Sequence, residues 1–152
     1  ENNEKYLRVR QTEQQDLIED LQKKFGMAYL FIAHDLLIVQ HISDRIAVMY
    51  LGQVIEKCSA KELFIQTLHP YSKALLSAIP VPSLKNKREK ILLKGELTSP
   101  INPKPCCRFA PRCPYATDAC CKEGVIPEVI TADGHKCRCL NLDKVKEGGI
   151  QK

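Results

Sequence analysis

The sequence predicts an α/β fold followed by a small, irregular, Cys-rich metal-bound unit. Three observations carry that expectation. Helical and strand-like segments alternate over residues 12–79. One apolar run, "MAYLFIAH", is short and unalternating, as in a strand buried on both faces of a parallel sheet. And seven of the eight cysteines lie between Cys106 and Cys139.

The elements follow in order. Leu17, Ile18, Leu21 and Phe25 share one face at helical spacing, so residues 12–25 read as a helix stopped by Gly26. The apolar run supplies a strand. Asp35 can cap a helix from Leu36 to Ile42. "RIAVMY" and "QVIEKC" read as two strands turned at Gly52. Ser59 and Glu62 form a capping box for a short helix over residues 60–65. Pro70 stands where a first helical residue is tolerated, and Tyr71, Ala74, Leu75 and Ala78 continue that helix until Pro80 and Pro82. "KILLKG" is a candidate strand.

This gives four segments: residues 1–82 for the α/β part, a basic linker over 83–105, the Cys-rich unit over 106–140 and a tail over 141–152. No internal repeat is visible. The α/β part is too small to close on itself, because a strand buried on both faces needs more neighbours than three strands supply. Low stability is therefore expected, with apolar strands open to pairing.

Net charge is +5. It is concentrated between Ser83 and Arg112, where eight basic residues face two acidic ones. A solvated linker is the expected reading, since no aromatics are interleaved to stack on bases. No stretch approaches the about 20 apolar residues of a membrane-spanning helix. "ENNEKYLRVR" has no apolar core of a secretion signal, so a reducing compartment is expected.

That expectation weighs against disulfides and for metal or redox chemistry. Spacing alone leaves zinc and iron–sulfur open. Zinc sites bring cysteines in close pairs, and no C-x-x-C occurs here. Cys106–Cys107 and Cys120–Cys121 are vicinal, so one member of each is expected to face a shared centre. Cys58 stands apart and reads as an ordinary semi-buried thiol.

His34 follows the apolar run, at the carboxyl end of the expected strand, where open α/β sheets bind ligands. Its surroundings, "YLFIAHDLLIVQHISDRIAVMYLGQVIE", resemble the end of the nucleotide-binding subunit of ABC transporters. "LHPYSKALLSAIPVP" and "SPINP…CRFAPRCPYATDAC" resemble the oligopeptide/dipeptide branch and its C-terminal extension. The resemblance runs from about Asp16 to Leu140. It implies that His34 is the switch histidine, which contacts the γ-phosphate of ATP and holds the attacking water. His41 and His69 are expected to be structural, and Asp35 a helix cap.

The branch also implies metal ligands. Its pattern of cysteines, with Phe109, Arg112, Pro114 and Ala116 between them, assigns Cys107, Cys113 and Cys120. Its later part, a His four residues before a last Cys, is matched by His135 and Cys139 and assigns Cys139. The resemblance implies a 4Fe–4S cluster on Cys107, Cys113, Cys120 and Cys139, with Zn²⁺ as the alternative. Cys106, Cys121 and Cys137 are extras. Ala110 stands where the family carries His. Arg108 and Arg112 are expected to offset thiolate charge. A structural staple is the expected role of the cluster, since about 35 residues bury little core; a redox sensor is the competing one.

The family's phosphate cradle, G-x-x-x-x-G-K-[ST], the Asp-Glu that holds Mg²⁺ and the signature motif do not occur in these 152 residues. The expectation is the C-terminal part of a peptide-importer ATP-binding subunit, inactive on its own. In the intact protein ATP and Mg²⁺ would serve uptake of peptide or nickel. The implied partners are membrane-spanning permease subunits and a paralogous or identical ATP-binding subunit, at the cytoplasmic face of the membrane, with no nucleic acid. The competing reading is a non-enzymatic zinc- or iron–sulfur-binding interaction module that contacts nucleic acid through the linker.

Overall fold

The computed structural model describes residues 16–18, 20–33, 36–79, 90–95, 99 and 101–147. The chain divides into two compact units, residues 1–42 and 43–152.

In the first unit, helix α1 covers residues 16–18 and 20–25 of those described. Gly26 stops it as expected. Its φ of 63° is left-handed, and its N–H donates to the Gln22 carbonyl at 2.9 Å. The expected strand after it does not form, and residues 26–33 carry no regular secondary structure. A strand exists only where a neighbour takes up its N–H and C=O groups, and none pairs with this run among the described residues. Leu30 and Ile32 stand 93% and 99% exposed in consequence. Helix α2, Leu36–Ile42, has the expected bounds.

The second unit is built on a hairpin. Strand β1, Arg45–Tyr50, alternates exposed and buried residues, sending Ile46, Val48 and Tyr50 inward. Leu51 and Gly52, at φ 45° and 76°, make a two-residue turn of the kind that matches strand twist. Strand β2, Gln53–Ser59, returns antiparallel, with a register shift between Val48 and Met49. Ser59 then caps α3, Ala60–Ile65: its Oγ accepts from Glu62 N–H at 3.2 Å, and its own N–H donates to Glu62 Oε2 at 3.1 Å.

Helix α4, Pro70–Ser77, starts as the sequence predicts, with Pro70 at its first position. Its cap is His69, whose Nδ1 accepts from Tyr71 N–H at 3.1 Å. The segment 90–95 read as a candidate strand is not one. Its Ile91 N–H donates to Ser77 Oγ at 3.0 Å, while Leu92 stays 83% exposed. The Cys-rich part contains a 3-10 turn at Ala110–Arg112, helix α5 at Asp118–Cys121, strands β3 (Val129–Ile130) and β4 (Lys136–Cys137), and helix α6 at Leu142–Glu147.

The sheet order is β1-β2-β4-β3, and every pairing is antiparallel. The fold is thus a mixed helix and sheet arrangement around a small antiparallel sheet, not the parallel sheet that the apolar run suggested. The aromatic centre of the core lies beside it. Phe109, 1% exposed, meets Tyr50 edge-on at 5.2 Å between ring centroids, with Tyr71 at 5.5 Å and His69 at 5.6 Å.

Candidate metal centre

Phe109 positions the first two cysteines. With its ring buried, the chain reverses around it. Ala110 N–H donates to the Cys107 carbonyl at 3.0 Å, Arg112 N–H to the Phe109 carbonyl at 3.0 Å, and Cys113 N–H to the Ala110 carbonyl at 3.2 Å. This single turn sets Cys107 at its start and Cys113 at its end. Helix α5 brings in Cys120, and Cys107 N–H donates to the Cys120 carbonyl at 3.1 Å. Cys139 comes from a separate segment. It follows β4 directly, where Arg138 N–H donates to the Ile55 carbonyl at 2.8 Å and extends the pairing with β2.

All eight cysteines are free thiols. Cys107, Cys113, Cys120 and Cys139 influence one another electrostatically in all six pairs. Burial pushes the Cys113 thiol up to about 11, and raises those of Cys107 and Cys139. Backbone amides oppose that rise. Phe109 and Ala110 N–H face Cys107, Tyr115 N–H faces Cys113, and Asn141 N–H faces Cys139. Such donors favour the thiolate, the form that binds metal.

The other cysteines differ. Cys106 lies close enough to Cys107 to raise its thiol slightly, while Cys121 is exposed. Cys58 and Cys137 are buried beside Glu56, which adds to the effect of burial in raising both thiols, Cys58 to about 12. Cys58 is thus more deeply buried than its position suggested, at 3% exposure.

Four thiols that sense one another's charge, three of them facing amide donors, make a donor set of the soft kind that thiolate-bound metal groups use. Among the described residues, no three His, Cys, Asp or Glu side chains are grouped as they would be around one ion. An iron–sulfur cluster asks for a wider arrangement, because each of its cysteines binds a separate iron. His34 and Asp35 lie outside the described residues. Arg108 is committed elsewhere than expected, as its guanidinium donates to the Leu51 carbonyl in the hairpin turn. Burial raises the Tyr71 phenol, Tyr50 adds to that, and nearby Arg112 opposes it; the Arg112 Nε is buried with no hydrogen-bond partner among the described residues.

The sequence reading missed the residue that ties these parts together. Glu56, 1% exposed, accepts from Leu68 N–H at 2.6 Å and His69 N–H at 3.1 Å, and contacts His135 Nε2 at 2.8 Å. Its only signal in the sequence was an acidic side chain directly after the apolar pair Val54–Ile55 of β2, with Lys57 beside it. His69 itself is structural, as expected. Burial lowers it to about 4 despite the opposing pull of Glu56.

Residues 55–120 match the family described as the C-terminal region of oligopeptide/dipeptide transporters. This chain carries an oligopeptide/dipeptide transporter C-terminal region. The matched stretch of that region includes Glu56, the His69–Pro70–Tyr71 cap and three of the four cysteines. Relatives extend the likeness. A putative oligopeptide transport ATP-binding protein of Bacillus subtilis is 56% identical over 107 residues, covering 69% of this chain and 32% of its own length. A dipeptide transport ATP-binding protein of Haemophilus influenzae is 48% identical over 128 residues, 84% of this chain and 39% of its own. An oligopeptide transport ATP-binding protein of Escherichia coli is 44% identical over 130 residues, 84% of this chain and 38% of its own. The transporter C-terminal region and its flanks thus span between 32% and 39% of the length of these curated relatives.

Proposed function

We propose that this chain is the C-terminal part of the ATP-binding subunit of an oligopeptide or dipeptide ABC importer. The match over residues 55–120, together with the names of the relatives, carries the reading. In the intact subunit ATP and Mg²⁺ bind to the remainder of the nucleotide-binding domain, and His34 holds the attacking water against the γ-phosphate. The subunit pairs with a second ATP-binding subunit and docks on membrane-spanning partners at the cytoplasmic face, driving peptide uptake. No helix among the described residues is long and apolar enough to cross a membrane. Residues 1–82 belong to the nucleotide-binding domain in this reading, 83–105 to a linker, 106–140 to a metal-bound unit and 141–152 to a tail. The test is ATP hydrolysis by the full-length subunit in its transporter complex. His34→Ala is expected to abolish it, and unchanged turnover would remove His34 from the mechanism.

In the same reading Cys107, Cys113, Cys120 and Cys139 hold a 4Fe–4S cluster. The supporting observation is the four-thiol arrangement with its facing amides. When bound, the cluster supplies a rigid cross-link between the Cys107–Cys120 loop and the end of β4. The residues of this chain position the sulfurs and favour their thiolate form. About four irons and four acid-labile sulfides per chain, lost together in Cys113→Ser, are expected after purification without oxygen. Stoichiometric zinc in their place would favour the zinc alternative.

A further inference from the structure

Asn141 lies two residues beyond Cys139, at the start of the segment leading into α6. Its backbone N–H faces the Cys139 sulfur. Its side chain reaches across to the other half of the site. Nδ2 lies 2.8 Å from the Tyr115 carbonyl, 3.3 Å from Thr117 Oγ1 and 3.3 Å from Cys120 Sγ.

The identity of that nitrogen follows from chemistry. A backbone carbonyl only accepts, so the atom 2.8 Å from Tyr115 O must be the donor end of the amide. An amide nitrogen carries two hydrogens. One is taken by Tyr115 O, and the second points to the Thr117 hydroxyl and the Cys120 sulfur. Thr117 Oγ1 is itself 3.6 Å from Cys120 Sγ. Asn141 is half-buried, so water competes only partly for these bonds.

One residue therefore donates to two of the four sulfurs, and those two come from segments about 20 positions apart. We propose that Asn141 is the positioning residue of the four-thiol site. It holds the Cys120 sulfur against Cys139 and stabilises negative charge on both. The inference rests on the metal-site reading above and adds to it a residue outside the cysteine pattern. Hydrogen bonds to ligand sulfurs raise a cluster's reduction potential and hold ligands in place.

The test uses the full chain purified without oxygen, with iron loss to a ferrous chelator and reduction potential as readouts. Asn141→Ala removes the side-chain donor. It is expected to lose iron about 10-fold faster or more, the usual effect of removing an outer partner, and to shift the potential to more negative values. Asn141→Asp places a carboxylate against the Tyr115 carbonyl and the Cys120 sulfur, and is expected to lose iron faster still. Iron bound in the wild type, with loss rate and potential unchanged in both variants, overturns the inference and leaves the metal site standing. A wild-type chain without iron or sulfide overturns both. The wild type offers a readout that needs no variant. Loading with iron and sulfide is expected to broaden the side-chain amide protons of Asn141, and sharp, unshifted resonances overturn the contact.

Discussion

Glu56 and His135 are 79 positions apart in sequence, yet Oε1 of one lies 2.8 Å from Nε2 of the other, with both side chains buried. The same carboxylate holds two backbone N–H groups of the turn into α4. It therefore joins the strand β2, the cap of α4 and the segment that carries Cys139. Glu56→Ala leaves two buried N–H donors and a buried imidazole without their acceptor. It is expected to lower stability by about 3–5 kcal/mol. A urea midpoint close to the wild type would deny Glu56 this role.

His69 provides the pH dependence. Its folded value, about 4, lies below the ordinary 6.5, chiefly because burial disfavours the charged ring. The unfolded chain therefore binds the proton first as pH falls. The stability is fully present above about pH 6.5 and is lost progressively between 6.5 and 4, by up to about 3 kcal/mol. Asn accepts at a helix cap without titrating. Urea unfolding of His69→Asn at pH 7 and pH 5 should show a smaller loss on acidification than the wild type shows.

The capping box of α3 gives a local test. Ser59→Ala removes the acceptor for Glu62 N–H and the partner of its carboxylate. Loss of such a cap costs about 1 kcal/mol. The midpoint of thermal unfolding should fall without any change in metal content, because α3 holds none of the four thiols.

Thiol reactivity should rank the cysteines outside the site. Cys121 is exposed, whereas Cys58 and Cys137 are buried next to the Glu56 charge. Iodoacetamide at pH 8, followed by peptide mass spectrometry, should label Cys121 first and these two last. Early labelling of Cys137 in folded protein would contradict the packing of β4 on β2.

Local chemistry made part of this fold legible. Ser59 with Glu62, Pro70, Gly26 and the turn at Gly52 each announce their element within a few residues, whereas the cap that His69 gives α4 was not read. The run from Met27 to Ala33 misled, because its composition reports a wish for burial without naming what would provide it. Strands β3 and β4 have two residues each, too few to show a period of two. The Glu56–His135 contact joins positions far apart, and no local pattern encodes it. The cysteine spacing left disulfide, zinc and iron–sulfur all open. The resemblance singled out four ligands, and the amides that face three of their sulfurs emerge only when the chain is folded.

The pairing of β2 with β4 has a consequence for protein engineering. Lys136 and Cys137 complete a sheet that begins with residues 45–59. The loop holding Cys107 is fastened there too, through Arg108 on the Leu51 carbonyl and Phe109 against Tyr50. The cysteine-bearing stretch is thus no detachable cassette. Transplanting it to another scaffold requires the hairpin and the His69–Tyr71 corner to travel with it, as a single cargo of discontinuous segments.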